Sequence, residues 1–348
     1  MIVKLFSKYF HKEKINRRVL VSLSPCIFSA IYYFGWRTFF ILIWSIIIGL
    51  FWEYVFCKRR NEQISESVFV TSTIFALIMP PTIPWHVSAI GISFAIIISK
   101  QLFGGFGKNI FNPAMAGRCF VYICFPVALT STWAPVAEEK IGALNRWSTV
   151  SSVDSISSAT PMANLKSGSL ILIRDNKNQI LPHQNNNQKS TYISAKDFYI
   201  SELTGRLSGT MGVTSVIAIL IGGLYLLFSK TASPQIIIST VLSYFILTHI
   251  LYLIGIQNIP DGLTAIMGGG FLFGAFFMAT DPVSAPKTNE AKIIYGIIIG
   301  TCTMIIRNFS IFNGGLMFSI IIGNMFAPIL DYIVKELKNQ KVNRNENN

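Results

Sequence analysis

The residues with the sharpest chemistry lie in a polar run, Asp154-Ser155-Ile156-Ser157-Ser158-Ala159-Thr160-Pro161-Met162. Small residues surround a hydroxyl there, so an enzyme or ligand can come close to the backbone. Asp154, six residues before Thr160, is placed to orient a donor or hold a metal. The same composition describes an ordinary solvated turn, and it does not by itself reveal a cofactor. Three acids fall in or beside apolar stretches, where an ionisable group is a functional hypothesis by default. Glu53 follows Gly49-Leu50-Phe51-Trp52, Asp281 follows Phe277-Met278-Ala279-Thr280, and Asp331 follows Phe326-Ala327-Pro328. Each also has a structural reading: pairing with Lys58 or Arg59 for Glu53, capping for Asp281, interfacial solvation for Asp331. Placed at the same side of three helices, they suit a cation or quinone path that includes Gly49. The five cysteines show no CxxC or Cys/His metal spacing. They read as small buried hydrophobes, Cys119 and Cys124 being five apart and so not neatly on one helical face, with an iron–sulfur centre shared at a subunit interface as the competing view. His86 and His249 are isolated and receive no role.

The elements that must position these groups are apolar. Of 348 residues, 51% are hydrophobic and only 13% charged, against roughly 25% charged in soluble domains. Mean hydropathy is +0.51, and several runs reach the ~20 residues that cross a bilayer core. The net charge of +13 raises nucleic acid as a partner. The basic residues, however, cluster at the ends of apolar runs, as the positive-inside rule requires, and nucleic-acid binding is excluded on that ground.

Apolar runs predict ten transmembrane helices, at about 19–36, 38–57, 67–80, 84–103, 114–132, 211–229, 231–256, 262–280, 291–307 and 311–335. Prolines 80, 81 and 84 end the third in a tight reversal. With the N-terminus cytosolic, Lys58–Arg60, Lys100 with Lys108, Lys230, Lys287 with Lys292 and the tail all fall inside. Arg37 and Arg307 are isolated exceptions at outer turns. The predicted organisation is a cytosolic lead (1–18), a five-helix membrane repeat (19–132), an extracytoplasmic insert (133–209), a second five-helix repeat (210–335) and a cytosolic basic tail (336–348). No cleavable leader is expected. Because five is odd, the repeats must be inverted, an arrangement that builds ion or electron paths at its interface. The fold expected is therefore all-α integral membrane. Each half carries a Gly-rich helix end running into a Pro-containing loop: Phe103–Pro113, with Gly104, Gly105, Asn109 and Asn112 as candidate cofactor-lining residues, and Gly268-Gly269-Gly270 leading to Asp281-Pro282. Such backbone either permits close helix packing or lines a site.

Asp154-x-x-Ser157-Ser158-Ala159-Thr160 resembles the flavin-transferase recognition pattern Asp-x-x-(Ser/Thr)-(Gly/Ser)-Ala-Thr, with Ser158 in place of the frequent Gly. Leu77–Pro84, Phe103–Arg118 with its Asn112-Pro113-Ala114 and Ala116-Gly117-Arg118, Phe277–Ser284 and Phe326–Asp331 are similar, in order, to segments of one family. It comprises the Rnf complex D subunits and the B subunits of Na⁺-translocating NADH:quinone reductase, and the similarity covers nearly the whole chain. The resemblance implies ten helices with an inverted repeat, and FMN joined through its phosphate to Thr160 by a flavin transferase outside the cytosol. It also implies cation movement at Glu53, Asp281 and Asp331, and raises a second, noncovalent flavin (riboflavin) near the cytosolic side. The Gly49–Glu53 segment resembles the quinone-side region of the quinone-reductase branch. A short N-terminus and Ala-Thr-Pro-Met favour the Rnf branch.

The expected function is a flavin-carrying subunit of a redox-driven ion-translocating complex in the inner membrane, with both termini cytosolic. Its partners would be flavin and iron–sulfur subunits, Na⁺ or H⁺, and either quinone or ferredoxin/NAD⁺. A dry interior lets protein charges set a flavin's potential. The competing classes are the quinone-reductase B subunit within the same family, a flavin-free secondary transporter, and a scaffold whose partners do the chemistry.

Overall fold

Most of the chain coils into helices whose ends follow its prolines, glycines and basic clusters. The computed structural model describes residues 10–130, 133–137, 139, 141–149, 160–173, 191–256, 258–312 and 314–346. A short strand, β1 (Phe10–His11), pairs in parallel with β2 (Ile64–Ser65). Between them run α1 (Lys14–Phe34) and α2 (Trp36–Arg60). The latter closes on Lys58, Arg59 and Arg60, whose charges suit the negative helix end. The next helices are short: α3 (Ser67–Leu77), α4 (Trp85–Ile96) with a π-helical extension over Ile97–Gln101, α5 (Pro113–Cys124) and α6 (Pro126–Thr130). A polar region then supplies α7 (Pro161–Ser167), β3 (Leu170–Ile173) in parallel with β4 (Thr191–Ser194), and α8 (Ala195–Thr204). Six helices complete the chain: α9 (Val216–Phe228), α10 (Pro234–Leu253), α11 (Gly262–Met267), α12 (Phe271–Phe277), α13 (Asn289–Phe309) and α14 (Gly315–Glu346).

Four helices, α2, α10, α13 and α14, are long and apolar enough to cross a membrane, and α3 and α9 are shorter apolar helices. Their outer faces are apolar. Along α2, Phe39, Phe40, Ile43, Ile47, Phe51 and Tyr54 are all exposed, and α10 turns out Ile238, Leu242, Ile246 and Ile250. A continuous apolar surface of this size belongs in lipid. The chain is a mostly helical, multi-pass membrane protein.

Some of the predicted runs are broken helices. The run expected at 67–80 is helical only to Leu77, because Pro80 and Pro81 cannot continue it. The run at 262–280 splits into α11 and α12 around Gly268–Gly270, where Gly269 (φ 61°) and Gly270 (φ 71°) take left-handed backbone. Such breaks free carbonyls that lipid cannot satisfy, and two arginines, Arg37 half-buried and Arg307 buried, take them up. Arg37 Nη2 donates to the Thr82 and Ile83 carbonyls at 3.1 and 2.7 Å. Arg307 donates to those of Ala265, Gly268 and Gly269 at 3.0–3.3 Å, and to the Tyr244 hydroxyl at 3.0 Å. The all-α expectation also lacked the two parallel strand pairs, which tie the lead to the α2–α3 turn and the parts of the polar region together. The last helix runs on through 336–346 instead of ending near Lys335.

Candidate functional site

Thr160 is the N-cap of α7. Its backbone is extended, Pro161 occupies the first helical position, and its Oγ1 accepts the Ala163 N–H at 3.3 Å. Asp154, Ser157, Ser158 and Ala159 lie outside the described residues. Two contacts seat α7 on the second half of the chain. Lys166 Nζ donates to the Arg307 carbonyl at 2.8 Å and to that of Ser310, at the carbonyl end of α13. Met162 is buried against the turn at Gly268 and Gly269, where a Cβ would collide with its side chain or lie within 3.3 Å of it.

This docking makes Thr160 part of the wall of a cavity. Around it stand Arg118 and Tyr122 of α5, Trp133, Glu202 of α8, Gly269, Gly270, Phe273 of α12 and Arg307 of α13. About 1080 Å³ between these walls is free of protein atoms, part of it open to solvent. Arg307 is 3% exposed. Among the described residues, Nε of both Arg118 and Arg307 is buried without a hydrogen-bond partner. Glu202, 6% exposed, is the acid on the wall, and burial pushes its pKa up to about 8 although Arg307 pulls it back. Burial also lowers Lys166, with Arg307 acting in the same direction. The site is thus electropositive, with donors in excess of acceptors.

A second cavity lies on the other side of the irregular loops. It is lined by Asn16, Thr71, Asn112, Thr280 and Asp281, with about 560 Å³ free of protein atoms. Here the two halves are stitched together. Asn112 caps α5 through its Oδ1, donates its side-chain amide to the Met278 carbonyl at 3.3 Å, and gives its backbone N–H to Asn324 Oδ1 at 3.1 Å. Asn324 in turn donates to the Ser284 carbonyl and to the Tyr295 hydroxyl.

The acids are kept apart. Glu53 does not pair with Lys58 or Arg59. It accepts from Lys100 at 2.7 Å and from Gln101 at 2.6 Å, and both charges are 1% exposed. The reason is geometric: Lys58–Arg60 lie at the exposed helix end, whereas the π-turn aims Lys100 inward. Asp281 accepts the Ser284 hydroxyl at 2.7 Å. Asp331 accepts the backbone N–H groups of Lys287 and Thr288, closing the start of α13. No hydrogen bond among the described residues joins the three. Gly49 lets α2 pack on Val68 and Ser72 of α3. Gly104 and Gly105 form a turn against Lys108 and Arg60, and Asn109 is buried on the Phe111 carbonyl. Of that loop, Asn112 lines a cavity.

Sequence reasoning missed Arg118, Glu202 and Arg307 as a group. Arg307 had a signal, because it broke the positive-inside pattern. Glu202 had none, since an acid in a polar segment is unremarkable.

Fold and site define a multi-pass membrane protein built around broken helices, with an electropositive cavity. The model of the NQR2, RnfD, RnfE family matches residues 7–339, and the chain belongs to that family. It is similar to the B subunit of the Na⁺-translocating NADH-quinone reductase of Ectopseudomonas mendocina, 37% identical over 297 residues, 83% of this chain and 65% of that protein. It is likewise similar to those of Neisseria meningitidis serogroup A (34% over 334 residues, 93% and 72%) and Azotobacter vinelandii (34% over 303 residues, 85% and 67%). The chain spans about two thirds of the length of these relatives.

Proposed function

We propose that this chain is the flavin-carrying membrane subunit of a redox-driven cation-translocating complex. The observation that carries this reading is Thr160, the last residue of the flavin-transferase pattern, opening into a cavity that holds two arginines with unpartnered nitrogens. The residues fit FMN. Arg118 and Arg307 offer donors to an anion, and Tyr122, Trp133 and Phe273 offer rings to a planar group. Joined to the Thr160 hydroxyl as a phosphoester, FMN supplies one-electron chemistry there. Lys166 holds the attachment helix on α13, and the arginines stabilise negative charge.

The architecture we infer is ten helices in two inverted halves, with the insert outside and both termini in the cytosol of an inner membrane. Three features support it. Basic clusters alternate consistently along the chain. The fourth helix of each half ends in a buried cation, Lys100 in one and Arg307 in the other. Finally, the irregular loops of the halves meet through Asn112 and Asn324. The inner cavity, with Asn16, Asn112 and Asp281, is where we place the second, noncovalent flavin. Electrons would come from flavin and iron–sulfur subunits. The relatives' names favour NADH and quinone at the two ends, and the Rnf branch would substitute ferredoxin and NAD⁺. A flavin transferase would load Thr160. We assign the cation step to Asp281, which of Glu53, Asp281 and Asp331 is the one that lines a described cavity. Glu53 and Asp331 stand at the same side of the bundle, each already balanced by its donors.

Intact mass with and without alkaline release of flavin tests the reading. An FMN adduct on the Thr160 peptide is expected, and Thr160→Ala should lose in-gel flavin fluorescence completely. Fluorescence surviving in that variant refutes the attachment, and flavin-free wild-type protein would favour a secondary transporter. For the cation step, Asp281→Asn should raise the Na⁺ concentration for half-maximal turnover at unchanged flavin content. A wild-type Na⁺ curve in that variant would remove Asp281 from the path.

A further inference from the structure

We propose that Glu202 is the proton-exchanging residue of the outer cavity: it takes up a proton when the occupant of that cavity gains an electron, and releases it to the same side when the electron leaves. The inference rests on the flavin reading above. In balance, an electron arrives from the reduced flavin or iron–sulfur donor of the complex. One H⁺ passes from bulk solvent through the water that enters the cavity and forms an O–H bond on the Glu202 carboxylate, so electron and proton together leave the net charge of the cavity unchanged.

Position carries the argument. Glu202 is 6% exposed and lines the same cavity as Thr160, Arg118 and Arg307. Among the described residues, no protein group donates to its carboxyl, and its oxygens are not among the fully buried unpartnered atoms, so they face the cavity space. A carboxylate that has lost most of its hydration and has no protein donor is held in its charged form at a cost, the kind of acid found where charge changes with function. The charged and titratable groups around it leave it free to titrate. Arg307 of α13 faces it and favours ionisation. Arg118 and Tyr122 of α5 stand across the cavity. Lys166 of α7 is committed to the carbonyls of Arg307 and Ser310. Tyr199, on the same helix, and Asp261, at the start of α11, contact each other and Thr264 instead.

The sign follows from the raised pKa of about 8. Below that pH, Glu202 is neutral whether or not the occupant is reduced, and adds no proton. Above it, the group is ionised beside the oxidised occupant. Negative charge arriving nearby raises its pKa further, so reduction protonates it.

The test uses the purified complex carrying wild-type, Glu202→Gln or Glu202→Asp chain, with FMN on Thr160 measured by peptide mass in each. Flavin potential and proton uptake are followed from about pH 7 to about pH 10. Wild type and Glu202→Asp should show an additional proton per electron in the upper part of that range, and Glu202→Gln should lose it while matching wild type near pH 7. Equal pH dependence in flavin-loaded wild type and Glu202→Gln overturns the proposal. Absence of FMN from wild type overturns the flavin reading, and this inference with it. If Glu202→Gln does not assemble, redox-difference infrared spectra of the wild-type complex at about pH 9 decide. Reduction should produce a protonated-carboxyl band that shifts on ¹³C-glutamate labelling, and a spectrum without that band refutes the role.

Discussion

At Glu53 the structure changes what a substitution is expected to do. As an unpaired acid, its amide would cost nothing and even help insertion. Paired with Lys100 at 2.7 Å, with each partner 1% exposed, its removal leaves a buried ammonium with no counter-charge and the Ser67 hydroxyl, at 2.8 Å, as its remaining hydrogen-bond partner among the described residues. Breaking a buried pair from one side typically costs about 3–5 kcal/mol, whereas replacing both partners is often neutral. Glu53→Gln should therefore lower the unfolding midpoint in detergent markedly, and Glu53→Gln with Lys100→Met should recover most of the loss. A double variant as unstable as the single one would show that the pair does not account for the effect. The same logic separates the acids: Asp331 serves the start of α13, and Asp281 faces a cavity.

The helices hold together through small residues at least as much as through large ones. On α13, Gly296 and Gly300 face Ser239 and Ser243 of α10. A Cβ at these glycines would come within 2.9 and 2.8 Å of the Ile236 and Thr240 carbonyls. Lipid offers no hydrophobic drive for two apolar helices to meet, so close backbone approach with its dispersion and hydrogen bonds must supply it. Gly300→Val should force α10 and α13 apart, costing about 1–3 kcal/mol as overpacking does. Thermal denaturation in detergent measures this, and an unchanged midpoint would show that the contact has slack. Because Arg307 is on the same helix, disturbance there should also reach the cavity beside Thr160.

For the whole molecule, the side of the membrane that each end occupies decides where the proposed flavin meets its partners. With native cysteines removed, Ser167→Cys in the insert and Asn339→Cys in the last helix should label oppositely. In intact cells an impermeant thiol reagent should reach the former and spare the latter. Labelling of Asn339→Cys with protection of Ser167→Cys would invert the topology, and would move the proposed flavin site to the cytosol.

Much of the architecture was legible from composition alone. Hydropathy marks where the chain enters lipid, and prolines 80, 81 and 84 announce a stop, because both signals are local and act on the residue that carries them. The two positive charges at odds with the expected topology, Arg37 and Arg307, marked the two places where broken backbone takes arginine donors. What stayed hidden was every relation between distant segments. That Lys100 answers Glu53 depends on a π-turn re-aiming one side chain. That Arg118, Glu202 and Arg307 surround Thr160 depends on α7 docking through Lys166 and Met162, which brings residues from four separate helices to one cavity. Patterns with period 3.6 say which face of a helix is apolar. They carry no information about which other helix that face will meet, and it is that choice, made by packing and by the need to satisfy buried polar groups, that created the site.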